Sequence, residues 1–413
     1  MSNRNIWFII CLWYFVFLLG ALHIPVIAVW YRFIGLTYAV IGILTMIPYL
    51  VRIPTNILVG KFVDKVGRKP CTVLGPLISA LGLTLIPIFH KPWIFIAFWV
   101  ALAGLGYSFI IVSLTTMAYD VAPVEKAGEY MGTARGIGLL GLGVGSLISG
   151  LVLSILGYFA TFYLAATIYL TSCMIGLFLI SETKKTVAKH TLSTSIITKK
   201  NLTSGEKVLV TAKSYKSLIK NRAILSCLLI NMVYWFMLAL YLFWIPIFLR
   251  EIGVAKFFVG IFPGIFYLIY GLAAPLGGRL SDKVGRRVAM GLGLSLAAIG
   301  CFSLRWIGGS EFTILATTLL TALISGSGAG IYGPLAYAVA ADSSDLSIRG
   351  VAMGFVQSFS ELGSVFSPIF ISFILTVTNS WITLFTLMSI VPIFGLMVVV
   401  FLLPETFHKV KKV

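Results

Sequence analysis

The chain has 413 residues, of which 59% are hydrophobic and 11% charged, and its mean hydropathy is +1.03. A soluble domain of this length needs many more charged side chains to cover its surface, so the composition excludes one. The formal net charge of +18 does not indicate nucleic-acid binding, because the Lys and Arg residues are grouped in a few segments rather than along one helix face. Membrane proteins collect such residues in their cytoplasmic loops.

The cysteines and histidines predict no metal or redox site. All five Cys residues lie inside apolar segments without a CxxC pair, and the four His residues form no HExxH-like cluster. No set of nucleophile, base and acid stands out either. We therefore expect no cofactor and no enzymatic activity.

Apolar segments long enough to cross a membrane, about 20 residues each, recur along the whole chain. The first six spans are predicted at 6–30, 38–60, 71–89, 92–119, 127–155 and 158–181. The second six are predicted at 223–249, 257–278, 288–307, 312–341, 351–375 and 381–404. The first segment is too long for the apolar region of a signal peptide and is retained as a span. The predicted fold class is an all-α membrane protein with twelve transmembrane helices.

An even number of spans places both termini on one side of the membrane. Of the 31 Lys and Arg residues, five fall in the loops of the other side and two inside spans, which leaves 24 on the side of the termini. This positive-inside bias predicts a multi-pass protein of the plasma membrane with both termini in the cytoplasm.

A polar stretch divides the chain. Residues 183–222 carry ten Lys or Arg residues and are rich in Ser and Thr, which is typical of a solvated cytoplasmic linker lying on anionic headgroups. We therefore predict an N-terminal six-helix half at 1–182, the basic linker at 183–222, and a C-terminal six-helix half with a short tail at 223–413.

The two halves repeat each other. Residues 60–69 read GKFVDKVGRK and residues 278–287 read GRLSDKVGRR, with six of ten positions identical. At a shift of 222 residues, Asp120 aligns with Asp342 and Gly141 with Gly363. Two parallel six-helix repeats place a substrate path at their interface, near the middle of the bilayer.

The repeated decapeptide resembles the signature loop of the major facilitator superfamily, and its copies stand where that family has them, between spans 2 and 3 and between spans 8 and 9. Residues 119–132 and 341–354 resemble the family's loops after spans 4 and 10. Ser181-Glu182-Thr183 and Pro404-Glu405-Thr406 resemble the acidic motif that ends spans 6 and 12. The resemblance covers essentially the whole chain and implies a monomeric transporter.

Eight residues of these motifs form a predicted gating set: Gly60, Asp64, Arg68 and Asp120, with Gly278, Asp282, Arg286 and Asp342 as a looser second copy. We expect both glycines to end their helices, and both motif aspartates to lie on short loops near a helix N-terminus. The resemblance implies that Asp64 docks on the start of span 11 and that Arg68 bridges Asp64 to Asp120. Such a cluster would latch the cytoplasmic side. In the alternative, these basic loops only fix the orientation.

Three charged residues lie well inside predicted spans: Arg52 in span 2, Arg135 in span 5 and Glu361 in span 11. An isolated charge there costs roughly 2.5–3.5 kcal/mol, so a function or a partner is expected. The functional interpretation makes Glu361 a proton carrier that responds to Arg52 or Arg135. The structural alternative is a fixed Arg–Glu pair that holds the halves together.

Two arginines against one glutamate leave the region net positive, and His23 of span 1 could add to this. A carboxylate or another anion would satisfy that excess through bidentate hydrogen bonds. The predicted contacts with the solute are Asn56, Tyr107, Asn231, Tyr234, Tyr332 and Gln357. Packing aromatics and cavity aromatics are not distinguished by the sequence.

The glycine-rich run from Arg135 to Gly150 resembles the family's antiporter motif, but Ser146 replaces its proline and Ser149 one of its glycines. Proton-coupled symport of a small organic anion or metabolite is therefore the first hypothesis. Proton-driven export of hydrophobic compounds is the alternative, and a solute sensor that does not transport is a third. The predicted partners are a small-molecule solute, protons and the lipid bilayer, with no nucleic acid.

Overall fold

The computed structural model describes residues 3–122, 127–183, 221–344 and 349–406. Every regular element in these ranges is helical, which confirms the predicted all-α fold class. Within them, ten helices are long and apolar enough to cross a membrane. One of these, Thr133–Phe178, contains two spans, and the shorter apolar helix Lys69–Leu85 supplies another, so the twelve predicted spans are all present.

The helices of the first half follow the predicted order. Span 1 consists of Asn3–Gly20 and His23–Phe33, span 2 is Tyr38–Val66, span 3 is Lys69–Leu85 and span 4 is Ile94–Val121. Spans 5 and 6 lie in Ala127–Phe178 and are separated by a non-helical residue, Gly157.

The helices of the second half repeat that order. Span 7 consists of Arg222–Ala239, a π-helical turn at Leu240–Trp244, and Ile245–Glu251. Span 8 is Lys256–Phe258 and Ile261–Val284, span 9 is Arg286–Ser303 with Leu304–Trp306, span 10 is Glu311–Asp342, span 11 is Arg349–Thr378 and span 12 is Trp381–Phe401. The predicted linker lies almost wholly outside the described residues.

Many polar groups of the spans form hydrogen bonds within their own helix. Side chains of Thr37, Asn221 and Ser380 accept hydrogen bonds from the first amides of spans 2, 7 and 12. Many Ser and Thr hydroxyls donate to carbonyls one turn earlier, as Thr45 does to Ile41 O at 2.8 Å. These bonds let a mostly apolar chain keep polar side chains at membrane depth.

The predicted ends of spans 2 and 8 were wrong. Both helices continue past Gly60 and Gly278, to Val66 and Val284, so Asp64 and Asp282 lie in last helical turns rather than on loops. The turns are made instead by the next glycines of the repeat, Gly67 (φ 123°) and Gly285 (φ 96°). Of the glycines in the repeated motif, only these two need the left-handed backbone that glycine adopts without strain.

The tightest described contacts between the two halves lie at one end of the bundle. We call the end that carries both chain termini the terminal end, and the other end the opposite end. Spans 5 and 8 show the trend. A Cβ added at Gly260, near the opposite end, would collide with the backbone oxygen of Ser146. Near the middle, a Cβ at Gly271 would lie 3.0 Å from the Leu140 side chain and 3.7 Å from the Gly136 carbonyl oxygen, so the helices are less tightly packed there.

Spans 2 and 11 also touch near the opposite end. A Cβ at Gly42 would meet the side chain of Ser372, whereas no described atom lies within 4 Å of one at Gly60. The Asp64 side chain is 77% exposed at the terminal end. Among the described residues, the closest contacts between the halves therefore lie at the opposite end.

Candidate functional site

A buried ion pair joins the two halves. Arg52 of span 2 donates from Nη2 to Oε1 of Glu361 in span 11 at 2.7 Å. The two side chains are only 6% and 1% exposed. Arg52 Nε and Glu361 Oε2 have no other hydrogen-bond partner among the described residues. The sequence placed both residues on polar stripes, and the structure brings those stripes face to face.

Aromatic rings surround the Arg52 guanidinium. Its central carbon lies 4.3 Å from the ring centre of Tyr107, 5.2 Å from that of Tyr49 and 5.9 Å from that of Trp235. The faces of such rings attract a cation, most strongly where water is excluded. Arg52 therefore has favourable surroundings even when Glu361 is neutral.

Arg135 of span 5 does not pair with Glu361. Its Nη2 donates to Gln357 Oε1 over a long 3.4 Å, and its guanidinium lies 5.2 Å from the ring centre of Tyr337. No carboxylate of the described residues forms an ion pair with Arg135. Its side chain is half-buried, unlike that of Arg52.

Polar side chains of the second half support Gln357. The Tyr337 hydroxyl donates to Gln357 Oε1 at 2.8 Å and accepts from Asn231 Nδ2 at 3.1 Å. Asn231 also contacts Ser360. Two predicted solute contacts, Asn56 and Asn231, each have a side-chain oxygen that is buried without a hydrogen-bond partner in the described part of the chain.

Two of the predicted solute contacts lie deeper in the second half. Tyr234 is 7% exposed and packs against Tyr270, with ring centres 6.0 Å apart. Tyr332 is 1% exposed and lies edge-on to Tyr234 at 5.8 Å. Tyr332 is therefore buried inside the second half.

The first signature cluster lies within the first half. Arg68 Nε donates to Asp120 Oδ2 at 2.9 Å, and Thr183 donates to the same oxygen at 2.7 Å. Asp64 lies 3.9 Å from Arg68 Nη1. Glu182 accepts hydrogen bonds from the backbone amides of Arg68 and Lys69 at 3.0 Å, so the acidic motif caps the N-terminus of span 3.

The second signature cluster repeats this arrangement with more exposure. Arg286 donates to Asp342 at 3.2 Å and to Asp282 at 2.9 Å. Glu405 accepts from the amides of Arg286 and Arg287. Asp342 is 34% exposed, against 6% for Asp120. Docking of Asp64 on the start of span 11 involves side chains outside the described residues and stays a prediction.

One acidic residue gathers donors from both halves at the opposite end. Glu251, the last residue of span 7, accepts from Arg32 Nε at 2.8 Å and from Trp381 Nε1 at 2.8 Å. The Tyr38 hydroxyl donates to it at 2.7 Å. Arg32 and Tyr38 belong to the first half, so this cluster spans the interface.

Three residues of these sites were absent from the predictions: Glu251, Tyr337 and Trp235. Glu251 is one acidic residue at the end of an apolar span, and its partner Arg32 lies 219 positions away in the sequence. Nothing in the sequence distinguished Tyr337 and Trp235 from the many aromatic residues that pack between helices. Only the isolation of an acidic side chain near Arg250 and several interfacial aromatics could have indicated Glu251.

The family model described as Major Facilitator Superfamily matches residues 6–269 and 245–413. A tetracycline resistance protein, class H, of Pasteurella multocida is 25% identical over 320 residues, which is 77% of this chain and 74% of that protein. The lysosomal dipeptide transporter MFSD1 of Danio rerio is 30% identical over 153 residues, 37% of this chain. That alignment spans only about a third, 32%, of the dipeptide transporter's length.

Solved structures share the fold over nearly the whole chain. A D-xylose-proton symporter superposes with a TM-score of 0.79 at 14% identity and covers 99% of this chain and 100% of its own. A point mutant of the nucleoside transporter NupG superposes with a TM-score of 0.74 at 14% identity, covering 96% and 99%. At this identity the similarity shows the fold alone.

Proposed function

This chain belongs to the Major Facilitator Superfamily and is a multi-pass membrane transporter, and on that premise we propose that it carries a small organic anion together with protons by alternating access. The proposal includes a monomer in the plasma membrane with both termini in the cytoplasm. The bias of Lys and Arg toward the terminal end supports that orientation. The state described above is then the one open to the cytoplasm.

The divergence of the halves supports alternating access. Spans 5 and 8 touch through backbone at Gly260 and Ser146 and pack less tightly at Gly271, within the length of one helix. Tight contact between the halves at one end is what one of the two states of such a transporter requires.

The observation that carries the coupling proposal is the Arg52–Glu361 pair, which links span 2 to span 11 at 2.7 Å. A proton on Glu361 removes the charge that Arg52 faces, and breaking a buried pair in this way weakens the attraction between its partners. The aromatic rings around Arg52 moderate the cost of leaving its charge unpaired. Protonation of Glu361 would thus loosen the contact between the halves, and its deprotonation would restore it.

Export of hydrophobic compounds driven by protons is the second candidate. The alignment with a tetracycline resistance protein over 77% of the chain supports it, as do the aromatic rings at the central space. The two candidates differ in the direction in which protons move relative to the solute.

The first experiment measures internal pH with a trapped dye in liposomes that contain the purified protein. If the transporter is a symporter, an inward gradient of a monocarboxylate should acidify the interior. If it is an exporter that exchanges its substrate for protons, an inward gradient of a hydrophobic cation should make the interior more alkaline, because protons leave as the cation enters. Glu361→Gln should reduce the proton flux at least about a hundredfold, as expected when a charge essential to coupling is lost.

Glu311→Gln is the matched control, because Glu311 is exposed at the opposite end and forms no ion pair with the described residues. The control should match the parent. Equal proton flux in Glu361→Gln and the parent would contradict the coupling role and leave the pair as a structural link between the halves.

A further inference from the structure

Arg135 occupies a special position in the repeat. The shift of 222 residues that aligns Asp120 with Asp342 also aligns Arg135 with Gln357. In the structure these two repeat-related side chains contact each other across the halves at 3.4 Å. A pseudo-twofold axis relates the two halves, and a residue that contacts its own repeat counterpart must lie close to that axis. Arg135 therefore lies near the centre of the interface between the halves.

The described residues leave the charge of Arg135 without a partner of opposite charge. Arg52 has Glu361 at 2.7 Å, whereas Arg135 forms no ion pair with any carboxylate of the described residues. Its contact with the neutral Gln357 amide is longer than the roughly 2.7–2.9 Å of charge-assisted bonds to carboxylates. The Arg135 side chain is only partly buried, so a ligand between the halves can reach it.

The neighbours of Arg135 are held in fixed positions. Gln357 Oε1 is fixed by the Tyr337 hydroxyl at 2.8 Å, and Tyr337 is fixed by Asn231 at 3.1 Å. Spans 7, 10 and 11 of one half thus present a rigid polar wall to an arginine from the other half. A ligand bound here would bridge the halves without breaking the Arg52–Glu361 pair.

We propose that Arg135, backed by Gln357 and Tyr337, is the anchoring site for a single carboxylate of the transported solute, while the Arg52–Glu361 pair carries the proton. This rests on the proposed function and gives the two arginines separate tasks. One uncompensated positive charge matches one carboxylate, and a dianion would leave a buried negative charge without a partner. The solute class is therefore a monocarboxylate whose body packs against tyrosine rings.

Binding to the purified full-length protein in detergent, without any proton gradient, tests this. The probes are acetate, benzoate and indole-3-acetate, each compared with its neutral amide, and phthalate as a dianion. The parent should bind at least one monocarboxylate at least about tenfold more tightly than its amide, the size of one charge-assisted hydrogen bond. Arg135→Gln should abolish the preference for the carboxylate over its amide. Arg305→Gln should not, because Arg305 lies in span 9 at the opposite end of the bundle.

Gln357→Glu provides a second test, in which the Arg135 side chain is kept. The new carboxylate would lie beside Arg135 as an internal substitute for the ligand. It should abolish carboxylate binding although Arg135 is still present, whereas a purely structural role for Gln357 predicts that carboxylate binding persists.

The proposal is overturned if the parent binds none of the three monocarboxylates, if amides or phthalate bind equally well, or if Arg135→Gln binds like the parent. Carboxylate binding through Arg135 without proton flux in liposomes would instead reject the coupling role of Glu361 and leave the carboxylate site standing. The two failures are therefore distinguishable.

Discussion

The opposite and terminal ends of this transporter are held together in different ways. At the opposite end the halves touch each other, through backbone contacts at Gly260 and through Glu251, which accepts from Arg32 and Trp381. At the terminal end the described ion pairs stay within one half, as between Arg68 and Asp120. The difference teaches that the described ion pairs at the terminal end brace each half internally rather than joining the halves. One end can therefore separate without loosening either half.

Two kinds of contact hold the halves together at the closed end: backbone packing at glycines and the polar cluster around Glu251. Backbone contact at glycines allows dense packing, which disappears as soon as the helices part. The Glu251 cluster is partly exposed, with side-chain exposures of 42% for Arg32 and 25% for Glu251, so water screens its attraction. We expect the packing to contribute more than the ion pair.

The largest effect on this comparison is expected from Gly260→Ala. The new Cβ has no room beside Ser146 O, so the halves must shift apart at the closed end, at a cost of about 1–3 kcal/mol. The melting temperature should fall, and spin labels at Phe33→Cys and Ile252→Cys should move apart. Gly278→Ala, in the same span at the open end, has no described atom within 4 Å and should leave both readouts unchanged. Equal behaviour of the two variants would contradict the packing gradient.

A smaller effect is expected from Glu251→Ala. This change removes the acceptor shared by Arg32, Tyr38 and Trp381, and we expect a loss of about 1 kcal/mol because the site is partly exposed. The same spin-label pair should show a broader distance distribution, and the effect should shrink at high salt. Glu311→Ala, at the same end, is the control. An unchanged distribution in Glu251→Ala would show that the cluster does not help to hold this end closed.

The smallest effect on the described state is expected from Asp64→Asn. Its carboxylate is 77% exposed and lies 3.9 Å from Arg68, so stability should change by less than about 0.5 kcal/mol. Transport should nevertheless fall severalfold, because the latch is needed only when the terminal end closes. Asp120→Asn, whose buried partner is Arg68, should instead lower stability. Normal uptake by Asp64→Asn would reject the latch.

The sequence predicted the architecture because the relevant signals are local or repeated. Apolar runs of about 20 residues define spans, and the two decapeptides define the halves. The pairing of Arg52 with Glu361 was also within reach, because each charge lies on a polar stripe that cannot face lipid. The predicted helix ends at Gly60 and Gly278 were wrong because a repeated spacing of glycines does not show which one turns the chain. That depends on backbone angles, which Gly67 and Gly285 supply.

The remaining features depend on contacts between distant segments. Glu251 and Arg32 are 219 residues apart, and nothing around either residue specifies the other. The contact between Arg135 and Gln357 follows from the way the halves approach each other, which the separate helix patterns do not encode. The assignment of rings to the central space or to the interior of a half, as for Tyr107 and Tyr332, likewise depends on tertiary packing.

The interruptions in spans 1 and 7 have a consequence for the path of motion. Span 1 breaks between Gly20 and His23, and span 7 has its π-helical turn at Leu240–Trp244, so the breaks fall at equivalent levels of the two halves. The segments beyond the breaks, His23–Phe33 and Ile245–Glu251, carry Arg32 and Glu251. Each half therefore has its own hinge, and we expect the outer exit to open first by bending these two short arms while the helices around the bound solute stay in place.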